Sequence, residues 1–242
     1  LDYDNVNRIN HWEFDMGSRT VVATFGEGCY FAGYDVALPT EYAYKSKSEG
    51  GIWEEGDLRR DESIRYDFTY LGITPTEVSW GADELDPHIK KYEDERTDQF
   101  NGNLANEWYS GKNFIVLRYA DVLLCYAECL NELGETGEAN TVVNQVRARA
   151  WGGTLPNEMA WNYGQDEFRV QIMDERIREL CFEGWRRMDL IRTGKFVELI
   201  KERNPWAKKS GTIKEFHMRW PIPDTEIKNN SDISEEDQNP GY

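Results

Sequence analysis

The sequence contains few of the residues that carry covalent or metal chemistry. Its 242 residues include 4 cysteines and 3 histidines. The cysteines form no CxxC pair, and no histidine lies at metal-ligand spacing from any of them. Cys125 and Cys129 lie four apart in an apolar run, where cysteine serves as a small hydrophobic side chain. We therefore expect all four, Cys29, Cys125, Cys129 and Cys181, to be structural rather than disulfide-bonded or metal-bound.

Long hydrophobic runs are also missing. No stretch of about 18 apolar residues occurs, so no segment is expected to cross a membrane as a helix. The sequence begins at Leu1 without an initiator methionine, a hydrophobic signal segment or a nearby lipidation cysteine. We therefore expect a fragment or a processed chain, with any membrane anchor in a missing part.

Basic residues are scarce. The chain has 28 Lys and Arg against 45 Asp and Glu, a formal net charge of −17. Phosphate binding needs a basic footprint, so this balance argues against a nucleic-acid partner. The excess negative charge favours solubility through self-repulsion, and it would also repel anionic ligands while leaving neutral ones unaffected.

Motifs of common enzymes are absent. The sequence has no GxSxG, HExxH, GxxxxGK[ST] or GxGxxG. His11, His88 and His217 are far apart, and the acidic run that precedes His88 lacks the glycine of a calcium-binding EF-hand loop. The sequence therefore predicts no catalytic residue, no metal and no cofactor.

Aromatic residues, in contrast, are abundant, with 9 Trp and 13 Tyr. Many lie in residues 1–112, which are rich in turns and lack sustained helical periodicity; short runs at 19–25 and 64–71 favour β-strands. Such aromatic content argues against disorder of this region. We predict a loop-rich, aromatic-rich region over 1–112 and a helical region over 113–242.

The helical region begins with an apolar segment at 114–133, closed by Gly134, and a second amphipathic helix at 138–150. Together they form a helical hairpin of the length of one tetratricopeptide unit, which needs partner helices to cover its outer faces. A third helix begins near Asp166 and is interrupted at Glu183-Gly184. Alternation over 216–222 favours a short edge strand, and Asp224 a brief helical turn. The fold class is therefore mainly α, with tetratricopeptide-like hairpins, a loop-rich region and minor short β-strands.

Five blocks of the sequence resemble, in order, those of the SusD/RagB family of nutrient-binding lipoproteins. They are GDLRR at 56–60, LRYADVLLCYAECLNELG at 117–134, VRARA at 146–150, DERIRELCFEGWRRMDLIR at 174–192, and PIP at 221–223 with the closing QNPGY at 238–242. The resemblance implies a SusD-like fold of which this chain is the C-terminal half.

The resemblance also implies a function. Members of this family are non-enzymatic proteins of the bacterial outer surface, lipid-anchored through an N-terminal part that this sequence does not contain. They capture oligosaccharides, or peptides in the RagB branch, and cap a SusC-like TonB-dependent barrel transporter. The expected partners are therefore a glycan or peptide ligand, the transporter and the missing N-terminal half. A surface glycan hydrolase and a tetratricopeptide scaffold for protein partners remain alternatives.

Aromatic side chains in the loops are the candidate ligand-binding residues, because rings stack on the apolar face of a pyranose. We select Tyr42, Tyr44, Trp53 and Trp80, which lie in irregular segments beside Gly, Ser or charged residues. The alternative for each is that it anchors its own loop to the core. Trp151 and Trp161, on either side of a Gly-Gly turn, are a second choice.

Charged residues inside the family blocks are expected to be structural. Arg118 with Asp121, and Glu183 with Arg186 or Arg187, are predicted to form buried or half-buried pairs that hold the helices in register.

Overall fold

The computed structural model describes residues 15–75, 87–101, 110 and 112–242. The chain divides into two compact units, Leu1–Gly184 and Trp185–Tyr242. The described residues are mainly helical, as the sequence predicts for the chain as a whole. None of the helices in the described ranges is long and apolar enough to span a membrane. The boundary near residue 112 that composition suggests stays a prediction.

Short elements build the first part of the larger unit. The helices are α1 (Arg19–Phe25), α2 (Glu41–Tyr44) and α3 (Arg59–Ser63), and strands β1 (Ile64–Arg65) and β2 (His88–Ile89) pair antiparallel with Ile64 opposite Ile89.

Two strand predictions in this part need correction. Residues 19–25 form helix α1 instead of a strand, because Val21, Val22 and Phe25 fall on one helical face that packs into the core. Of residues 64–71, only Ile64–Arg65 pair as a strand. Tyr70 forms an isolated bridge with Ile73 across a tight turn, in which Leu71 and Gly72 both have positive φ.

Aromatic packing replaces extended sheet in this part. Val21, Phe31, Phe68 and Tyr70 form a buried cluster, in which the rings of Phe31 and Tyr70 meet edge to face at 5.6 Å. The Tyr70 hydroxyl donates to the carboxylate of Asp98 at 2.5 Å, which satisfies its polar end. The high aromatic content of the loops thus supplies their core.

Three longer helices complete the larger unit: α4 (Tyr119–Glu132), α5 (Thr136–Ala150) and α6 (Gln165–Leu180). α4 and α5 form the predicted hairpin, whose buried face consists mainly of Leu124, Ala127, Leu130, Ala139, Val142, Val143, Val146 and Ala150. Gly134 closes α4 with φ 85°, a conformation that glycine adopts cheaply.

Helix α4 begins later than predicted. The sequence places its start at Phe114, but Arg118 is extended, with φ −142° and ψ 162°, and the helix starts at Tyr119. The side chain of Arg118 bonds to Glu179 and Glu183 of a distant segment, so tertiary contacts override the apolar periodicity here. Residues 115–117 are left exposed.

Three asparagines join the hairpin to the segment that precedes α6. Asn144 and Trp161 exchange two hydrogen bonds, as do Asn140 and Tyr163, and Asn131 donates to the carbonyl of Gln165. Together, the three side-chain amides bond to main-chain groups of every second residue, as a neighbouring strand would.

The smaller unit contains helices α7 (Trp185–Arg192), α8 (Phe196–Arg203), α9 (Pro205–Ser210) and α10 (Asp224–Asn229). The helical turn predicted at Asp224 is confirmed as α10.

The edge strand predicted at 216–222 is wrong, since Glu215–Met218 form a 3-10 turn. Side chains satisfy the main chain that follows this turn. Gln238 exchanges two hydrogen bonds with Ile222, and Asn239 donates to the Trp220 carbonyl.

Candidate functional site

Buried ion pairs form the framework beneath the loop-rich part. Glu175 of α6 is fully buried and accepts hydrogen bonds from Arg59 of α3 (2.8 Å), Arg147 of α5 (2.9 Å) and Arg178 (2.8 Å). Three segments far apart in sequence therefore converge on one carboxylate. We call this set, with Glu54 and Glu179, the Glu175 network.

The network extends to Arg118, just before α4, and to Arg149, near the end of α5. Glu179 accepts from Arg59 at 3.0 Å and also pairs with Arg118 and Arg149. Glu54, at the edge of the loops, pairs with Arg147 at 2.6 Å. Each buried charge has at least one partner of opposite sign, as burial of ions in a medium of low dielectric constant requires.

The arginines change how these carboxylates titrate. Burial by itself would raise the pKa of Glu175, but Arg59, Arg178 and Arg147 outweigh it and hold the pKa well below its ordinary value. The pKa values of Glu54 and Glu179 are lowered in the same way, against the effect of burial, by Arg178 and Arg59 respectively. All three carboxylates are therefore ionised at neutral pH.

The predicted partners within the family blocks were partly wrong. Arg118 pairs with Glu179 and Glu183 rather than with Asp121, and Asp121 pairs with Arg176 of α6 at 2.9 Å. Because Arg118 precedes the helix in an extended conformation, its side chain reaches α6 instead of the next turn of α4. The expectation that these charges are structural agrees with their burial.

Three of the four predicted aromatic site residues come together in the structure. Tyr42, Tyr44 and Trp53 pack on one cluster with Ile52 and Ile64. Trp80 lies outside the described residues.

The three are not equally accessible. Trp53 is only 1% exposed, and its indole N–H donates to the Ala43 carbonyl at 2.7 Å, so it anchors its loop. Tyr42 is half-buried and donates to Asp174 at 2.9 Å; Tyr44 is also half-buried, with its ring edge to face with Tyr66 at 6.4 Å.

A hollow of about 280 Å³ lies beside this aromatic cluster. Its lining comprises Ser46, Lys47, Ser48, Trp53, Glu54, Glu55 and Met159. We call it the 46–55 hollow. Apolar surface from Met159 lies next to hydroxyl, ammonium and carboxylate groups, a mixture suited to a ligand with both C–H faces and hydroxyls. The buried Trp53 supports the hollow from beneath.

Sequence reasoning selected only Trp53 among the residues that line this hollow. The signal for the others was the Gly50-Gly51 turn, which brings Ser46 and Trp53 side by side in an isolated bridge. Gly51 is required there, because a Cβ on it would lie 2.1 Å from the Lys45 carbonyl oxygen.

The second-choice tryptophans flank the Glu175 network. Arg147 stacks over both rings, with its guanidinium carbon 4.9 Å from the centroid of Trp151 and 5.4 Å from that of Trp161. Trp161 is buried, so its ring is part of the core.

The described residues hold no cluster of three or more His, Cys, Asp or Glu side chains that could bind a metal ion. All four cysteines are free. Burial raises the pKa of Cys29 to about 12, so its thiol is unreactive at neutral pH. Cys125 and Cys129 are exposed, which corrects the expectation that both pack as small hydrophobic side chains.

Comparison with known proteins identifies the family of this chain. The profile of the SusD family matches residues 14–242, nearly the whole chain. The chain belongs to the SusD family. SusD-like protein P2 of Formosa agariphila is 31% identical over 222 residues, covering 88% of this chain and 41% of that protein. The starch-binding protein SusD of Bacteroides thetaiotaomicron is 28% identical over 159 residues, 64% of this chain and 26% of that protein.

Among solved structures, the surface glycan-binding protein A of Bacteroides fluxus superposes with a TM-score of 0.61 at 25% identity. The match covers 89% of this chain and 42% of that one. The chain thus spans less than half the length of these SusD-family relatives, and the mainly helical, tetratricopeptide-like fold predicted from the sequence is confirmed.

Proposed function

We propose that this chain forms part of a bacterial cell-surface protein that binds oligosaccharides without cleaving them. The observation that carries this proposal is its membership of the SusD family, with relatives named for binding starch and surface glycans. Since a fold can host several functions, the local geometry has to support the same conclusion.

The 46–55 hollow provides that support. A sugar hydroxyl both donates and accepts hydrogen bonds, and Ser46, Lys47 and Ser48 offer donors and acceptors at the hollow's exposed edge. The aromatic cluster beneath holds this edge in place before any ligand arrives, which lowers the entropic cost of binding. We propose that Tyr42, Tyr44 and Trp53 shape this site, with Trp80 as a further contact.

The charge state of Glu54 favours binding over hydrolysis. A glycosidase needs one carboxylic acid whose raised pKa lets it protonate the leaving oxygen. Glu54 lines the hollow, but its pKa is lowered, and it is held by Lys47 at 2.7 Å and Arg147 at 2.6 Å. It is therefore a poor proton donor at neutral pH.

The proposal also includes the partners that family membership suggests. The protein would be lipid-anchored at the outer membrane through an N-terminal portion and would pass its ligand to a SusC-like TonB-dependent transporter. The exposed face of α4, which includes Tyr119, Val122 and Tyr126, suits packing against helices of that portion.

Isothermal titration calorimetry against neutral oligosaccharides and oligopeptides tests the ligand class. We expect heats of binding with at least one oligosaccharide and unchanged oligosaccharide lengths after prolonged incubation. Lys47→Ala with Ser48→Ala should weaken that binding, whereas the exposed control pair Lys208→Ala with Ser231→Ala should not. Binding of peptides alone, or products that persist after repurification, would overturn the proposal.

A further inference from the structure

A second and larger hollow lies at the end of the β1–β2 ladder. It has a volume of about 460 Å³ and is lined by Tyr30, Arg65, Lys90, Lys91 and Glu93 among others. Arg65 is in β1, and the main-chain N–H of Lys90, just after β2, donates to the Ser63 carbonyl at 2.9 Å. The strand pair therefore fixes the positions from which these side chains project. We call it the Arg65 hollow.

The hydrogen-bonding groups of this hollow are held rigidly. Arg65 donates to both carboxylate oxygens of Glu93, each at 2.5 Å, and its guanidinium carbon lies 4.1 Å from the centroid of the Phe31 ring and 5.5 Å from that of Tyr30. Lys91 is fixed by Glu183 at 2.5 Å. A ligand meeting these groups would order few side chains, so little of its binding energy would be lost to entropy.

The charges in the hollow balance locally. Arg65 is neutralised by Glu93, and Lys91 by Glu183, which is not among the residues that line the hollow. At the rim, Lys90 donates to the Asp61 carbonyl at 2.7 Å, and exposed Glu62 lies on the same lining. With Glu95 and Lys112, the lining carries four cations and three carboxylates, so neither sign is in large excess, in a chain whose net charge of −17 repels anions.

A lining that holds both donors and acceptors with little net charge is complementary to a neutral polyhydroxylated ligand. Each carboxylate oxygen of Glu93 takes one bond from Arg65 and retains a second lone pair, while the Lys90 ammonium has two further N–H donors besides the one on the Asp61 carbonyl. We propose that the Arg65 hollow binds a neutral sugar unit and forms a second saccharide subsite. This rests on the proposed function and extends it, because the Arg65 hollow shares no lining residue with the 46–55 hollow.

Calorimetry with maltohexaose, cellohexaose, xylohexaose and mannohexaose tests this subsite, with oligogalacturonate as the acidic comparison. The variant is Lys90→Ala combined with Glu62→Ala, which removes a donor and an acceptor from the rim and leaves the net charge unchanged. The matched control is Lys208→Ala combined with Glu236→Ala, two exposed residues of the smaller unit. Thermal unfolding monitored by circular dichroism shows whether both variants keep the fold.

We expect the Lys90 and Glu62 variant to bind the best neutral hexasaccharide about tenfold more weakly than the control, the loss of one or two hydrogen bonds to charged groups. Raising NaCl from 50 to 500 mM should leave the affinity of the unsubstituted protein nearly unchanged, because a neutral ligand is not screened. Unchanged affinity in the folded variant, or preference for oligogalacturonate, would overturn the subsite. Absence of binding to any saccharide by the unsubstituted protein would instead refute the proposed function.

Discussion

Replacing Glu175 with glutamine tests whether the buried network holds the larger unit together. The carboxylate accepts from three guanidinium groups at 2.8–2.9 Å and is fully buried. Glutamine has nearly the same volume, so the change creates no large cavity. It removes the negative charge that Arg59, Arg147 and Arg178 share.

The expected loss of unfolding free energy is about 3–5 kcal/mol, as for other buried pairs from which one partner is removed. Domains of this kind have roughly 5–15 kcal/mol in total. With a urea m-value of about 3 kcal/mol/M, the midpoint of the larger unit should fall by more than about 1 M. Far-ultraviolet circular dichroism and tryptophan fluorescence, recorded on the same samples, measure that midpoint.

Glu132→Gln is the matched control. Glu132 accepts from Arg169 at 2.7 and 2.8 Å, so the bond lengths match those at Glu175, but both side chains are exposed. Exposed pairs contribute little because water screens them. Equal midpoints for the two variants would show that burial does not set the strength of the network, and the reasoning would fail.

Three further predictions concern acid stability, backbone fit and the aromatic anchor. The three network glutamates have pKa values below that of an unfolded glutamate, about 4.3. Their contribution to the free energy of unfolding is therefore complete above that pH and is lost as the pH falls through the lowered pKa values. A urea midpoint that already drops between pH 7 and 5 would contradict this. Gly51→Ala should destabilise the protein because the new Cβ clashes with Lys45. In contrast, Gly137→Ala places its Cβ with no atom within 4 Å and should stabilise α5 by about 0.5–1 kcal/mol. Equal thermal midpoints for the two variants would show that Gly51 is not required by its close contact with Lys45. Trp53→Phe should lower the free energy of urea unfolding by about 1–3 kcal/mol, because the indole N–H bond to the Ala43 carbonyl is lost and the ring is smaller. A stability equal to that of the unsubstituted protein would show that Trp53 does not anchor its loop.

The sequence predicted the elements whose local periodicity and tertiary packing agree. The hairpin of α4 and α5, the break after α6 near Gly184 and the turn at α10 all follow from apolar spacing and glycine positions. Residues 19–25 were mispredicted because a β-branched run of that length fits either a strand or a helical face. Residues 216–222 were mispredicted because their partners are side chains from residues 238–239, about 16 positions further along the chain.

The candidate site was only partly predictable. Sequence composition singled out loop aromatics as candidate ligand-binding residues, and the structure brings three of them, Tyr42, Tyr44 and Trp53, into one cluster. Composition gave no sign of which rings would be covered, because that depends on Asp174 of α6 approaching Tyr42 and on the turn that brings the Trp53 indole to the Ala43 carbonyl. The Arg65 hollow was missed since its charged residues look individually like ordinary surface, and only the pairing of β1 with β2 brings them together.

The carbonyl end of α6 is bound by side chains from two remote parts of the chain. Lys91 donates to the carbonyls of Glu179 and Cys181, and Arg118 also donates to that of Glu179. These cations meet the negative end of the helix dipole. Lys91 and Arg118 are thus both tied to one helix end. Insertions beside Lys91 should therefore destabilise the larger unit, whereas insertions at the exposed Gly72 turn, which lies away from both attachments, should be tolerated.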